Sequence, residues 1–331
     1  MGELLGVAAV AAQYGVSEAR VRQWIACSQL PAHKVSGHWV IESGALGALH
    51  RRANGRPRKG TPEGPASEER RMGITVAICG RKGGSAKSVT AFNLAGALVQ
   101  AGLRCLLVDL DMQGSLSRNL LGSGTLPGGG IGERLLAVER GLADLIIPAR
   151  PHLDLLPGDR SLEASARALA ENPTGTLRLR RLLNPLVSLY DALIIDTAPA
   201  LDFSQSTALQ AADVAIIPAR VGGQQDLDAL QDSLSMRTEF ADYGLRVADL
   251  CCILPSSYDE SFVAQREGLA MLREHYGPAL ADPVPYSALV ERTFNRGVPL
   301  VEAYPRSATA AAFRALGQRL LASVPAGAVA R

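Results

Sequence analysis

Ile74-Thr75-Val76-Ala77-Ile78-Cys79-Gly80-Arg81-Lys82-Gly83-Gly84-Ser85-Ala86-Lys87-Ser88 places an apolar run, a glycine-rich turn and the start of a helical pattern in direct succession. The run 74–79 lacks regular polar alternation, as expected of a strand buried on both faces. A turn that leads from such a strand into a helix aims its backbone N–H groups inward as an anion nest, and the helix N-terminus adds positive dipole. Residues Gly83, Gly84, Ser85 and Ala86 would supply those N–H groups, with Val89 just inside the helix. Lys87 would reach the β- and γ-phosphates of a bound nucleotide, and the Ser88 hydroxyl would ligate Mg²⁺. A plain glycine-rich turn feeding a helix has the same local pattern, so the decision rests on residues elsewhere.

Outward from this stretch, apolar runs recur at 105–108, 193–195, 214–217 and 250–254. Helical patterns lie between them, at 88–100 and 226–241, and the period at 308–321 reads as a core-packing helix. Alternation of this kind predicts an α/β fold with a doubly wound, mostly parallel sheet. The glycine-rich segment 124–132 reads as a loop. Ahead of the sheet, residues 51–72 carry Gly, Pro and charge without apolar period and read as a linker. The expected organisation is therefore a small unit at 1–50, a basic linker at 51–72 and a nucleotide-binding unit at 73–331.

Composition limits the function classes. The formal net charge of +2 over 331 residues says little about partners, but up to Arg71 there are 10 basic and 6 acidic residues, so the positive excess sits at the front. Five cysteines (Cys27, Cys79, Cys105, Cys251, Cys252) form no C-x-x-C pair, which argues against metal or redox work. Cys79 and Cys105 read as small buried hydrophobes. No stretch approaches a membrane span, and Met1-Gly2-Glu3 lacks a basic signal-peptide start, so the expected location is cytoplasmic.

The loop departs from G-x-x-x-x-G-K-[ST], with Arg81 and Ala86 at the glycine positions and a second lysine, Lys82, opening it. Together these residues resemble the deviant Walker A motif of the ParA/MinD family of partition and positioning ATPases. The resemblance implies that Lys82 reaches across an ATP-sandwiched dimer to the partner's nucleotide. Leu106-Leu107-Val108-Asp109-Leu110-Asp111-Met112-Gln113-Gly114 resembles the family's switch motif, with Met112 in place of proline. Tyr190-Asp191-Ala192-Leu193-Ile194-Ile195-Asp196-Thr197 resembles its Walker B strand. By that resemblance Asp111 orients the attacking water, Asp109 steadies the Mg²⁺ shell, and Asp196 holds Mg²⁺ through water. Residues 254–259 and 284–308 are similar to the later loop and closing segment, which makes Pro285 an adenine contact. Two departures bear on rate. Val89 replaces a hydroxyl residue, and Ala86 stands where φ is commonly positive, at a cost of about 1 kcal/mol.

In the front unit, 5–14 reads as a helix, Gly15-Val16 as a turn and Ser17 as the N-cap of a second helix. Val21, Trp24 and Ile25 share one face of it, leaving Arg20, Arg22 and Gln23 to project elsewhere. That arrangement fits a DNA-binding helix-turn-helix first, while small helical pairs also serve as protein-docking modules. The stretch 33–41, with Lys34 on it, reads as a hairpin wing, and the segment as a whole resembles the MerR/excisionase-like winged helix-turn-helix. Arg56 and Arg58 lie in a stretch that resembles an AT-hook core, or else a plain basic linker.

What the resemblance implies is a DNA partition ATPase with ATP and Mg²⁺ as ligands. It would be a homodimer with ATP, bind DNA without sequence preference, respond weakly until stimulated by a ParB-like centromere-binding adaptor, and sit on the nucleoid. The front unit would repress its own operon. Arg237, Arg266 and Arg273 are candidates for the non-specific DNA surface. The competing expectations are an ATP-switched transcriptional regulator and an ATPase that positions a protein cargo on the nucleoid.

Overall fold

The computed structural model describes residues 4–14, 18, 21, 25, 30, 32–35, 38–42, 73–122, 130–170, 172, 174–199 and 202–323. Cα proximity divides the chain into two units, Met1–Glu68 and Glu69–Arg331.

In the first unit, strand β1 (Leu4–Gly6) and strand β2 (His33–Val35) flank β3 (His38–Glu42), both antiparallel to it. The expected hairpin at 33–41 is present, with Lys34 opposite Trp39. The expected helix at 5–14 is shorter. It runs Val7–Tyr14, because Leu5 pairs with Ile41 and Gly6 with Val40. Val10, Val21, Leu30 and Ile41 are buried together, and Val21 and Ile25 share the inward face read from their spacing. Arg20, Arg22, Gln23, Trp24, Arg56 and Arg58 lie outside the described residues, as do Ser17 and the linker 51–72.

The second unit is built on a seven-stranded sheet. Its strands are β4 (Ile74–Ile78), β5 (Cys105–Leu110), β6 (Ile147–Arg150), β7 (Leu153–Leu156), β8 (Ala192–Thr197), β9 (Val214–Ala219) and β10 (Asp249–Pro255). Their spatial order is β10-β9-β4-β8-β5-β7-β6, and all neighbours are parallel except β6 with β7. The five apolar runs are thus β4, β5, β8, β9 and β10, of which the first four are interior and β10 is an edge strand. The edge hairpin β6–β7 was not legible: Pro148 and Pro151 interrupt the run, and Asp154 is only half-buried. Proline is tolerated there because an edge strand has a free side.

Successive residues of the strands feed two separate cores. Val76, Ile78, Leu107 and Ile194 pack with Phe92, Leu94 and Leu98 of the helix Lys87–Gln100 and with Phe313, Leu316 and Leu320 of the helix Ala308–Ser323. Ala77, Cys79, Leu106, Val108, Leu193 and Ile195 face the opposite way, onto Leu135, Leu162, Leu179, Leu182 and Ala208. A third cluster lies under the helices Gln224–Asp242 and Val263–Tyr276, around Ile217, Leu230, Ile253 and Leu269. This accounts for the lack of alternation: a strand covered on both sides has no face for polar residues. Cys79, Cys105, Cys251 and Cys252 are free and buried, and burial pushes the Cys79 thiol up to about 12. The expected loop at 124–132 is corrected at its end, because Gly132 belongs to the helix Ile131–Leu136. Among the described residues, no helix is long and apolar enough to cross a membrane.

The turn from β4 into the helix Lys87–Gln100 uses two left-handed residues, Gly84 (φ 72°) and Ala86 (φ 67°, ψ 29°), on either side of the buried Ser85. Ala86 also begins the helix ladder, its carbonyl accepting from Thr90 N at 2.8 Å. Glycine takes this conformation freely, whereas the alanine Cβ meets its own backbone. Ala86→Gly is therefore expected to stabilise the protein by about 1 kcal/mol or less, the limit being glycine's extra freedom in the unfolded chain. Urea unfolding of the two proteins checks this. A variant no more stable than the parent contradicts a strained turn.

Candidate functional site

The register of the sheet brings the acidic residues to the loop. Asp196 sits opposite Ile78 on β4 and opposite Asp109 on β5, so both carboxyls stand at strand ends beside the turn. This is the C-terminal edge of a parallel sheet, where open α/β folds bind their ligands. Lys87 is buried and its Nζ donates to the Lys82 carbonyl at 3.0 Å, closing the loop on itself. Burial lowers its pKa, and the charges of Asp196, Cys79 and Asp111 oppose that shift.

Asp196 is the most exacting feature. It is fully buried, and neither carboxylate oxygen has a hydrogen-bond partner among the described residues. Burial raises its pKa well above the usual range, and the neighbouring Asp109 and Asp111 charges add to the rise. Ser88 stands close enough to favour the ionised form, without completing a hydrogen bond to it. Leaving a buried carboxylate unpartnered costs well over 1 kcal/mol, so such a group points to a missing cationic or hydrogen-bonding ligand. Ser85 Oγ, in the loop itself, is also buried without a hydrogen-bond partner among the described residues. Around Gly83 and Gly84 there is open space where a Cβ would stand, so the mouth of the loop is clear. The residues present therefore fit a magnesium-bound phosphate chain, which Ser88 would hold directly and Asp196 through water.

Asp109 is engaged differently. Its Oδ2 accepts from Ser117 N at 2.9 Å and Ser117 Oγ at 2.6 Å, and its Oδ1 from Asp111 N at 3.0 Å. Burial pushes its pKa up to about 6 against those hydrogen bonds. The carboxylate thus anchors the helix Ser115–Leu121 to the end of β5, and Ser117 Oγ extends the network by accepting from Gly158 N. Asp111, two residues on, accepts from Gln113 N through Oδ1 and is half-buried near Lys87 and Asp196. Val89 packs partly against the first core and offers no polar side chain. Pro285 bridges to Tyr258, which brings the later loop and the closing segment together. Ser256 Oγ donates to Ser85 O at 3.1 Å and ties that later loop to the cradle.

Lys82 meets a residue that the sequence did not single out: its Nζ lies 2.6 Å from Asp226 Oδ1. An acidic residue in a helix's first turn is common for dipole reasons alone, so nothing local marked this one. Two of the arginines considered for a DNA surface make hydrogen bonds to backbone carbonyls. Arg237 Nε donates to Ala248 O and Arg266 Nη1 to Glu260 O.

Comparison with known proteins agrees with this geometry. A family model described as an AAA domain matches residues 73–233. An uncharacterized protein of Mycobacterium tuberculosis is 30% identical over 81% of this chain and 84% of its own length. The chromosome partitioning protein ParA of Myxococcus xanthus is 36% identical over 44% of this chain and 52% of its own. Among solved structures, cobyrinic acid a,c-diamide synthase from Mycobacterium smegmatis, with a bound ATP analog and magnesium, is 27% identical with a TM-score of 0.64, covering 75% of this chain and 94% of that one. Apo McdA from Cyanothece has a TM-score of 0.68 at 24% identity, covering 75% and 99%. A cradle that leaves Asp196 and Ser85 without partners, on a sheet shared with these proteins, makes this chain a member of the AAA-domain family of P-loop nucleotide-binding proteins.

Proposed function

We propose that the chain is a partition or positioning ATPase that closes into a dimer around ATP and releases when it hydrolyses it. The observation that carries the reading is the buried Asp196 carboxylate, unpartnered beside the Lys87 ammonium at the mouth of the loop. A triphosphate with magnesium supplies the positive charge and oxygen contacts this arrangement lacks. The likeness to a chromosome-partitioning relative narrows the nucleotide reading to partition or positioning.

In this reading Lys87, Ser88 and the loop N–H groups of Gly83, Gly84, Ser85 and Ala86 hold the phosphates. Asp196 and Ser88 hold the metal, and Pro285 lies against the base. Asp111 orients the attacking water and Lys82 contacts the twin subunit's nucleotide. Asp109, with both oxygens already accepting, positions the switch rather than binding metal directly. The first unit, with Arg20, Arg22, Gln23 and Lys34, recognises an operator, and Arg56 and Arg58 add phosphate attraction. A ParB-like adaptor stimulates turnover on the nucleoid.

Turnover and sedimentation with ATP, Mg²⁺ and DNA test this. Lys87→Ala should lose nucleotide binding, and Lys82→Ala should lose turnover and ATP-dependent dimers. Asp111→Ala should still dimerise yet hydrolyse on the order of 10²-fold more slowly. Three variants indistinguishable from the parent would remove these assignments.

The DNA reading has its own check. Fluorescence anisotropy on operator-region duplexes should weaken severalfold for the full chain carrying Arg22→Ala and Gln23→Ala together, with ATP turnover unchanged. Equal affinity returns the first unit to the docking-module reading.

The buried carboxyls also fix a pH trend. A carboxyl raised to about 6 in the folded state, as Asp109 is, binds more protons folded than unfolded between the ordinary carboxyl range and that value. Without nucleotide and Mg²⁺, stability should therefore fall as pH rises through that window. Asp196, held up by burial as well, pushes stability in the same direction. Thermal melts across pH should show Asp196→Asn with the shallower fall and the higher melting temperature near neutrality. A steeper fall, or a less stable variant, contradicts the unpartnered carboxylate.

A further inference from the structure

Strand β10 carries two adjacent free thiols, Cys251 and Cys252, and its ladder skips one of them. Leu250 pairs with Ala215 and Cys252 with Ile216, so Cys251 is an extra residue, a bulge, against β9. Side chains of a regular strand alternate between faces, and Leu250 and Ile253 both lie on the third cluster. The bulge breaks that alternation: Cys251 and Cys252 both pack into the first core, together with Leu254. The two thiols therefore face the same side, and Cys252 donates a hydrogen bond to Cys251. No C-x-x-C spacing marks the pair, because the bulge and not the spacing brings the sulfurs together. Ser323 Oγ, at the exposed end of the helix Ala308–Ser323, donates to Cys251 Sγ at 3.6 Å. Cys251 is 8% exposed, whereas Cys252 is fully buried. The hydrogen bond from Cys252, helped by Ser323 and the Arg319 charge, brings the Cys251 thiol down to about 7 against its burial. Donating that bond, and burial, push the Cys252 thiol up.

A pair so placed has one sulfur at the rim of the core and one held directly behind it. The outer sulfur is the nucleophile of such a dithiol and the inner one resolves what it picks up. We propose that Cys251 and Cys252 are a modification site for small disulfides, closing into a reversible bond between neighbours. The Cys251 thiol gives up its proton and attacks one sulfur of a small disulfide RSSR. This forms the mixed disulfide Cys251–S–SR and expels RS⁻, which takes up a proton to leave as RSH. Cys252 then attacks Cys251 Sγ, and its proton leaves with the second RS⁻ as RSH. The cysteine pair loses two electrons and RSSR gains them. Neighbouring Cα atoms across a trans peptide are about 3.8 Å apart, whereas a relaxed disulfide spans about 4.4 to 6.8 Å. Closure therefore has to move backbone, and an unpaired bulge on an edge strand is where β10 gives most easily. Bonds strained in this way are readily reduced again. Further along, β10 runs into Ser256, whose N–H donates to Ala219 O at 2.8 Å and whose Oγ donates to Ser85 O in the cradle at 3.1 Å. A shift at the bulge pulls on that tie, so oxidation weakens nucleotide binding; this consequence rests on the nucleotide reading above.

The test exposes the reduced full chain to oxidised glutathione at neutral pH and reads it by intact mass and by peptide mapping without reduction. The parent is expected to lose the mass of two hydrogens, mapped to Cys251 and Cys252, with no lasting adduct, and dithiothreitol should restore it. Cys252→Ala should stop at the first step and keep one glutathione on Cys251, while Cys251→Ala should leave Cys252 unmodified. A parent in which Cys251 and Cys252 stay reduced overturns the site, as does a bond running instead to Cys27, Cys79 or Cys105. Modification of Cys252 in Cys251→Ala as fast as in the parent overturns the order of attack. The parent result stands whether or not either variant folds. Binding of N-methylanthraniloyl-ATP with Mg²⁺ is then compared for the reduced and oxidised parent. Oxidation is expected to weaken it roughly three- to tenfold, the scale of one lost hydrogen bond. A disulfide that forms without changing that affinity removes the link to the cradle alone. Reduced parent that binds no probe, and matches Lys87→Ala in this, removes the nucleotide reading and that consequence, while the mass result decides the site by itself.

Discussion

Charge taken out of water at the edge of a fully covered sheet is the constraint from which the rest of this unit follows. Lys87 and Asp196 are both buried, and desolvation shifts each toward its neutral form. Such groups persist only where apolar burial outweighs them, and here two cores share one sheet. The alternation of Val76 and Ile78 with Ala77 and Cys79 between those cores holds β4 rigid up to the residue before the loop. The loop can then carry a strained Ala86 and an orphaned Ser85 hydroxyl without collapsing onto them. Strain and unsatisfied polarity gathered at one strand end are what a binding site stores and a structural turn has no reason to keep.

Two aspartates on the same strand end have different surroundings, and those surroundings divide the work. Asp109 is sealed and its oxygens are committed to Ser117 and to the backbone of Asp111. Asp111 is half-buried, with one oxygen turned to Gln113 N and its charge felt at Lys87 and Asp196. The first is a hinge pin and the second a group free to meet a ligand. Gly158 confirms how tightly the pin is set: a Cβ there would stand 2.6 Å from Asp109 O and 2.9 Å from Asp111 O.

Elements whose burial is complete were legible because burial writes itself into composition. The runs at the heart of β4, β5, β8, β9 and β10 are apolar, and the positive φ at Ala86 follows from its place in the loop. Half-buried elements were not. β6 and β7 mix prolines and Asp154 into short runs, and Leu4-Leu5-Gly6 continues a helical period until pairing with β3 claims it. The Lys82–Asp226 pair spans 144 positions, and neither side chain carries a local sign of the other. Motifs are read along the chain. The counter-ion of a motif lysine is set by which helix the sheet order brings alongside.

That sheet order gives the loop an unequal attachment. Its rear half moves with the helix Lys87–Gln100, which Phe92, Leu94 and Leu98 hold in the first core. Its front half is held from both sides: the Lys82 carbonyl accepts from Lys87 Nζ, while Arg81 N and Lys82 Nζ reach the helix Gln224–Asp242, whose outer face is largely solvent. Packed cores deform little, so a change at the loop is transmitted where packing is thin and the bonds are polar. The helix Gln224–Asp242 is in that position: its first turn borders the cleft beside Lys82, and further along only Leu230, Ser233 and Met236 are buried.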